Sequence, residues 1–113
     1  MNDTTVERNF GQQRIDTIML RWGLDNHDLV VAAEAEFEQL THKQVQRARI
    51  GRRLTLSMMQ KIARILNAAI LARMDDEAAE NYTPYMHRDL FSYAKSFDAD
   101  WADPNAALYP DEQ

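Results

Sequence analysis

The residues best suited to chemistry crowd one short stretch, positions 41–53, which holds His42, Lys43, Gln46, Arg47, Arg49, Arg52 and Arg53. All of them can donate hydrogen bonds, and the lysine and arginines carry positive charge at neutral pH. Groups of this kind bind anions and hydrogen-bond acceptors. Thr41 is suited to cap a helix by accepting from the N–H groups one turn ahead, and Gly51 to end it in the left-handed conformation. Val45 and Ala48, at i, i+3 spacing, give that helix a narrow apolar foot. Lys43, Gln46, Arg47 and Arg49 fall around the rest of its surface.

The surrounding charge sharpens this reading. From residue 39 to residue 74 there is no acidic side chain, and the bases are Lys43, Arg47, Arg49, Arg52, Arg53, Lys61, Arg64 and Arg73, a local charge of +8. The whole chain carries −5, so −13 lies outside that segment. Segregation on this scale points to a polyanion-binding face on an otherwise acidic protein.

Other constellations offer less. His27, His42 and His87 are far apart in sequence and none has an HExxH-like neighbour, so no metal site is expected. Asp98, Asp100 and Asp103 lack the central glycine and closing glutamate of a calcium loop. Glu34, Glu36 and Glu38 alternate, and on a helix they diverge instead of pairing as acid and base. No glycine pattern cradles a phosphate, and the absence of cysteine excludes thiolate metal sites, disulfides and cysteine nucleophiles. The expectation is a protein that is not an enzyme and uses no cofactor.

The elements that position the basic stretch must be helices. Only three glycines and three prolines occur in 113 residues, and no alternating run of β-branched and aromatic residues is present, so the predicted class is all-α. Ile15, Ile18, Met19 and Trp22 form an amphipathic stripe that Gly23 ends. Asp25 or Asn26 can cap a second helix carrying Leu29, Val30, Ala32 and Ala33. It either runs on to Phe37 or gives way to an acidic loop with Phe37 and Leu40 tucked inward. Thr55 caps the most hydrophobic helix, whose Met58, Met59, Ile62, Ile65, Leu66, Ala69 and Ile70 make it the spine of the core. It should stop near Asp75, Asp76 and Glu77, whose charges oppose a helix C-terminus. Thr83 and Pro84 can open a short amphipathic helix through Met86, Leu90, Phe91, Tyr93 and Ala94, fit either to cover the core's open side or to pair with a second copy.

The predicted division is an N-terminal arm (1–11), a central helical domain (12–73), a C-terminal helical extension (74–97) and an acidic tail (98–113). The tail is expected to be extended or disordered, pinned if at all by Trp101, Leu108 and Tyr109. The longest apolar runs, 29–33 and 68–72, are far shorter than the roughly 20 residues of a membrane span, and the start lacks the apolar run of a signal peptide. A soluble, cytoplasmic protein is the expectation.

Three pieces together carry a resemblance. Trp22, Gly23 and Leu24, followed by polar Asp25–Asp28 and then Leu29, resemble the junction between the first two helices of the phage repressor and Cro type (lambda repressor-like, XRE) of helix-turn-helix protein. Residues 41–53, with a cap, a buried aliphatic four positions on and a Gly-Arg ending, are similar to that family's recognition helix. Residues 61–67, with Ile62-Ala63 and Leu66-Asn67, resemble its fourth helix. The resemblance spans residues 12–70 and departs in two places. The link from Leu29 to Thr41 is about five residues longer than the family's tight turn and lacks a glycine. Arg49 stands where the family often has a glutamate paired with a first-helix arginine; the counterpart here is Met19, and Asp16 lies one turn away.

The resemblance implies a compact four- or five-helix lambda-repressor-like domain that binds double-stranded DNA as a transcriptional regulator, with its third helix in the major groove. It places His42, Lys43, Gln46 and Arg47 at base edges and Asn26, His27, Arg52 and Arg53 at phosphates, and leaves Arg49 to an internal ion pair. High specificity would call for a homodimer, with the C-terminal extension around residues 87–95 as the expected interface. The alternative is a protein-interaction adaptor, such as the antitoxin of a toxin pair, using the same surface or the acidic C-terminal half. An acidic tail folded over the basic face would weaken DNA binding.

Overall fold

Hydrophobic periodicity and well-defined end signals cut the chain into helices. The computed structural model describes residues 10–93 and 101–110. Among these residues it has six α-helices, one 3-10 turn and no strand. They are α1 (Arg14–Arg21), α2 (Asn26–Ala35), α3 (His42–Ile50), α4 (Leu56–Leu71), α5 (Asp76–Glu80) and α6 (His87–Leu90), with the 3-10 turn at Ala106–Leu108. No described helix is long and apolar enough to cross a membrane.

The starts follow the expected caps. The Asp25 side chain accepts from the Asp28 N–H (2.9 Å), Thr41 Oγ1 from Gln44 (3.0 Å) and Thr55 Oγ1 from Met58 (3.1 Å). The ends of the first three helices share one device, in which two backbone N–H groups turn back onto the last free carbonyls around a left-handed residue. At α1 that residue is Gly23, with Leu24 N–H on the Met19 carbonyl. At α3 it is Gly51, with Arg52 N–H on the Arg47 carbonyl. At α2 it is Phe37, with φ of 60°, and Glu38 N–H reaches the Ala33 carbonyl at 2.8 Å. A phenylalanine there costs about 1 kcal/mol or more relative to glycine. The phenyl ring points away from the protein and is 98% exposed, whereas Leu40 turns in. The long link of the sequence is therefore mostly helix: α2 runs to Ala35 because nothing breaks it earlier, and only residues 36–41 connect it to α3.

α4 packs on α2 and α6, and α3 is held between α1 and α2. Ile62, Ile65, Leu66 and Ile70 of α4 are completely buried, and at about 1.5–3 kcal/mol for each such side chain they make α4 the spine. Val45 and Ala48, the foot of α3, are also fully buried.

The C-terminal half departs from expectation. Asp75 caps α5 by accepting from Ala78 N–H, so the acidic cluster that opposes one helix end favours the next helix start. Thr83 and Pro84 open no helix; α6 is a single turn beginning at His87, and the Thr83 backbone is instead paired with Asn105. Residues 101–110, expected to be extended or disordered, fold back onto the core. Asn105 is completely buried and bonds both the N–H and the carbonyl of Thr83 at 2.8 Å. Asp103 accepts from Tyr85 and Tyr109, and the Trp22 indole N–H donates to Tyr85 Oη (3.2 Å). Trp22 meets the Tyr82 and Tyr109 rings edge-on. The tail thus runs along α1, with Arg14 at the start of that helix over Trp101 and Arg21 at its end near Tyr109. Residues 1–9, 94–100 and 111–113, which include most of the arm and part of the extension and tail, lie outside the described residues.

Candidate nucleic-acid interface

α3 is fixed from below and bare above. Its N-terminal turn is locked by reciprocal bonds between Thr41 and Gln44, both 3.0 Å. At its other end the backbone of residues 10–13 lies along it, with Phe10 N–H on the Gly51 carbonyl (2.9 Å) and Gln13 N–H on the Arg49 carbonyl (3.1 Å). Gln13, itself buried, takes the N–H groups of Ser92 and Tyr93 on its Oε1 and so ties the C-terminal segment to the same point.

Arg49 is the internal anchor. Its Nε donates to Asp16 Oδ1 at 2.5 Å and its Nη1 to Asn26 Oδ1 at 2.7 Å. Asn26 Nδ2 in turn donates to Gln46 Oε1 at 3.0 Å. One hydrogen-bonded chain therefore runs from α1 through α3 and α2 back to α3, and it aims Gln46. The internal ion pair expected of Arg49 is thus made with Asp16.

The expected base-reading residues are brought to one surface. Lys43, Gln46 and Arg47 are exposed, on the side of α3 away from Val45 and Ala48. His42 is exposed beside His27, with Nε2 of His42 3.2 Å from Nδ1 of His27. The ring planes differ by 13° and the centroids are 5.4 Å apart, little less than the nitrogen separation plus two ring radii, so the rings meet edge to edge. One nitrogen must carry the proton and the other must accept it.

The expected phosphate-binding residues are divided. Arg52 and Arg53 follow α3 directly. The Arg53 guanidinium sits over Phe10 (5.8 Å) and Tyr93 (5.2 Å), an aromatic shelf that nothing in the local sequence announced. Tyr93 Oη also holds the loop by accepting from Leu54 N–H and donating to the Arg52 carbonyl. Asn26 is committed to Arg49 and Gln46, so its side chain positions a neighbour and is not offered to a phosphate. The Asp28 backbone N–H holds the Asp25 carboxyl below its usual value, which leaves an anion at the start of α2. At that end His27 is the remaining candidate.

The cations also separate by role. Arg49 pairs with Asp16, Arg64 with Glu38 (2.6 Å) and Arg73 with Asp28 (3.3 Å). Among the described residues, Lys43, Arg47, Arg52, Arg53 and Lys61 have no carboxylate within ion-pair distance. No three described His, Cys, Asp or Glu side chains converge as a metal site would require. The extension's expected dimer face is turned inward, since Leu90 and Phe91 are buried in the protein's own core. Comparison with protein-family models, with curated proteins and with solved structures finds no match to this chain.

Proposed function

We propose that the chain is a sequence-specific double-stranded DNA-binding protein of the lambda repressor-like helix-turn-helix type, acting as a transcriptional regulator. The observation that carries this reading is α3 itself: a capped helix with a fully buried foot and a positioned Gln46, presenting Lys43 and Arg47 with no acidic partner among the described residues. Lys43 and Arg47 suit guanine O6 and N7, Gln46 suits adenine N6 and N7, and each such contact discriminates by about 1–3 kcal/mol. His42 stands at the same edge. Arg52, Arg53 and His27 flank it at the places where phosphates would fix register.

Salt dependence tests the reading. If about four phosphates are neutralised per protomer, Arg52 and Arg53 being two of the groups that do so, log K against log salt for duplex binding has a slope of about −3.6. Arg52→Ala should shallow that slope by about 0.9 with sequence preference intact, whereas Gln46→Ala should relax preference with the slope intact. Duplex binding undetectable at low salt, or unmoved by Arg47→Ala with Arg52→Ala, removes the proposal. A protein-interaction adaptor is the second reading, and the fully exposed Phe37 is the observation in its favour.

A further inference from the structure

Phe37 is an unusual residue to find where it is. The equivalent position closing α1 and α3 is glycine, and here a large apolar side chain takes the same left-handed backbone and keeps 98% of its surface in solvent. Nothing within the described chain compensates for that placement. Directly before it, Glu36 borders a groove of about 320 Å³ between α2 and α4, walled by Val31, Ala35, Ala68 and Ala72. Val31 is half exposed and Leu71 continues the apolar surface beyond Ala72. A cavity of roughly 150 Å³ accommodates benzene, so the groove has room for a phenyl ring. The ring of the same molecule does not fill it.

We infer that this face is a self-association surface, on which Phe37 of one copy enters the α2–α4 groove of a second copy and receives that copy's Phe37 in return. Knob and hole adjoin along the chain, since Phe37 follows Glu36 of the groove, and a two-fold interface demands both on one patch because the same surface must serve both partners. The rim supports a second copy over a strongly charged partner. It carries Asp28 and Glu36 against Arg64 and Arg73, and since Arg73 pairs with Asp28 and Arg64 with Glu38 within the chain, it is neutral overall and does not repel a second copy. Phe37 itself lies past the C-terminal end of α2, a ten-residue helix about 15 Å long, so its ring is remote from His27, although the rim of the groove reaches Asp28 beside that histidine.

The expected size of the contact sets its strength. An aromatic side chain buries about 150–250 Å², so two rings and the walls that receive them bury roughly 600–1,000 Å² in total. That is below the 1,200 Å² or so of a stable complex, which makes the dimer weak and concentration-dependent.

Sedimentation equilibrium of the full chain without nucleic acid, from about 10 μM to about 1 mM, covers the range such an interface requires. The expected result is a mass rising from one protomer toward two. Phe37→Gly should weaken association at least tenfold while the melting temperature holds or rises, because glycine suits that backbone. Ala72→Arg, which fills the groove and leaves the ring, should weaken it as much. A one-protomer mass at the highest concentration overturns the inference and leaves the groove to a different protein. Association that survives either substitution at the original strength overturns it too. The inference does not depend on DNA binding: Phe37→Gly should bind a single-site duplex as the parent does, and a parent that dimerises without binding duplex would count against the DNA reading alone.

Discussion

The link from Asp16 through Arg49 and Asn26 to Gln46 makes a quantitative prediction. The side chains of Arg49 and Asp16 are 14% and 19% exposed, so their 2.5 Å contact lies between a surface pair and a buried one. Surface pairs contribute about 0–1 kcal/mol, whereas hydrogen bonds to charged groups shielded from water contribute about 1.5–3. Asp16→Asn and Arg49→Met should therefore each cost about 2 kcal/mol, or roughly 8–16 °C in melting temperature for a domain of this size. The double variant should cost less than the sum by about 1.5 kcal/mol, since the second substitution removes a partner already lost. Reversing both charges should recover stability lost by reversing either alone. Urea unfolding of the four proteins, followed by circular dichroism, measures the cycle. A coupling below about 0.5 kcal/mol, with no recovery on reversal, would refute the assignment of Arg49 as the internal anchor. On the DNA reading the same variant has a second readout. Arg49→Met frees Asn26 and lets Gln46 wander, so it should blunt base preference at one position without altering the salt slope.

Other consequences are as direct. A Cβ at Gly51 would stand 2.0 Å from the Gly11 carbonyl oxygen, whereas one at Gly23 meets nothing within 4 Å. Gly23→Ala should therefore cost only the backbone strain, about 1–2 kcal/mol, and Gly51→Ala clearly more, with detachment of residues 10–13 visible as faster amide exchange there. Asn105→Ala removes the partners of both Thr83 backbone groups and should cost about 2–4 kcal/mol in thermal or urea unfolding; an effect under 0.5 would deny the tail a structural role. Burial raises the phenol pKa of both Tyr82 and Tyr85 well above the ordinary tyrosine value, with nearby Asp103 adding to the effect. Because the folded state holds these protons more tightly than the unfolded one, their contribution is complete below about pH 10 and is lost above it, at about 1.4 kcal/mol per pH unit for each phenol. Unfolding in urea at pH 9 to 11.5 should show that decline, and a flat profile would contradict it.

What the sequence made legible were the signals that act locally. Thr41, Asp25, Thr55 and Gly51 mark helix ends because capping is settled within four residues, and the stripe of α4 is visible because its period is strict. The contact of Asp16 with Arg49 could be anticipated because both faces were fixed by those periods. What escaped depended on partners distant in sequence. The Thr83-Pro84 start signal lost to Asn105, which binds the Thr83 backbone from 22 residues away. Leu90 and Phe91 read as an amphipathic face fit either to cover the core's open side or to pair with a second copy, and packing against α4 and α1 takes the first course. Asn26 read as a phosphate ligand because a helix start attracts anions, but Arg49 and Gln46 take its side chain and Asp25 supplies the charge. Phe37 could not have been placed, since its role as the left-handed closing residue of α2 contradicts its ordinary preference.

The segregation of charge gains meaning once the internal pairs are removed. Of the eight cations between residues 39 and 74, three are bound to carboxylates, and these three sit at the joints between helices: Arg49 joins α3 to α1, Arg64 joins α4 to the α2–α3 connection, and Arg73 joins the end of α4 to α2. They hold the frame and add little to an outward field. Of the five without a carboxylate partner among the described residues, Lys43, Arg47, Arg52 and Arg53 gather on α3 and just beyond it and Lys61 lies on α4, while the net charge of the whole chain is −5. On the DNA reading, long-range electrostatics would favour approaches that lead with α3 before any base is read. Net charge alone argues against binding a polyanion; the paired arginines and the location of the unpaired ones reverse that argument.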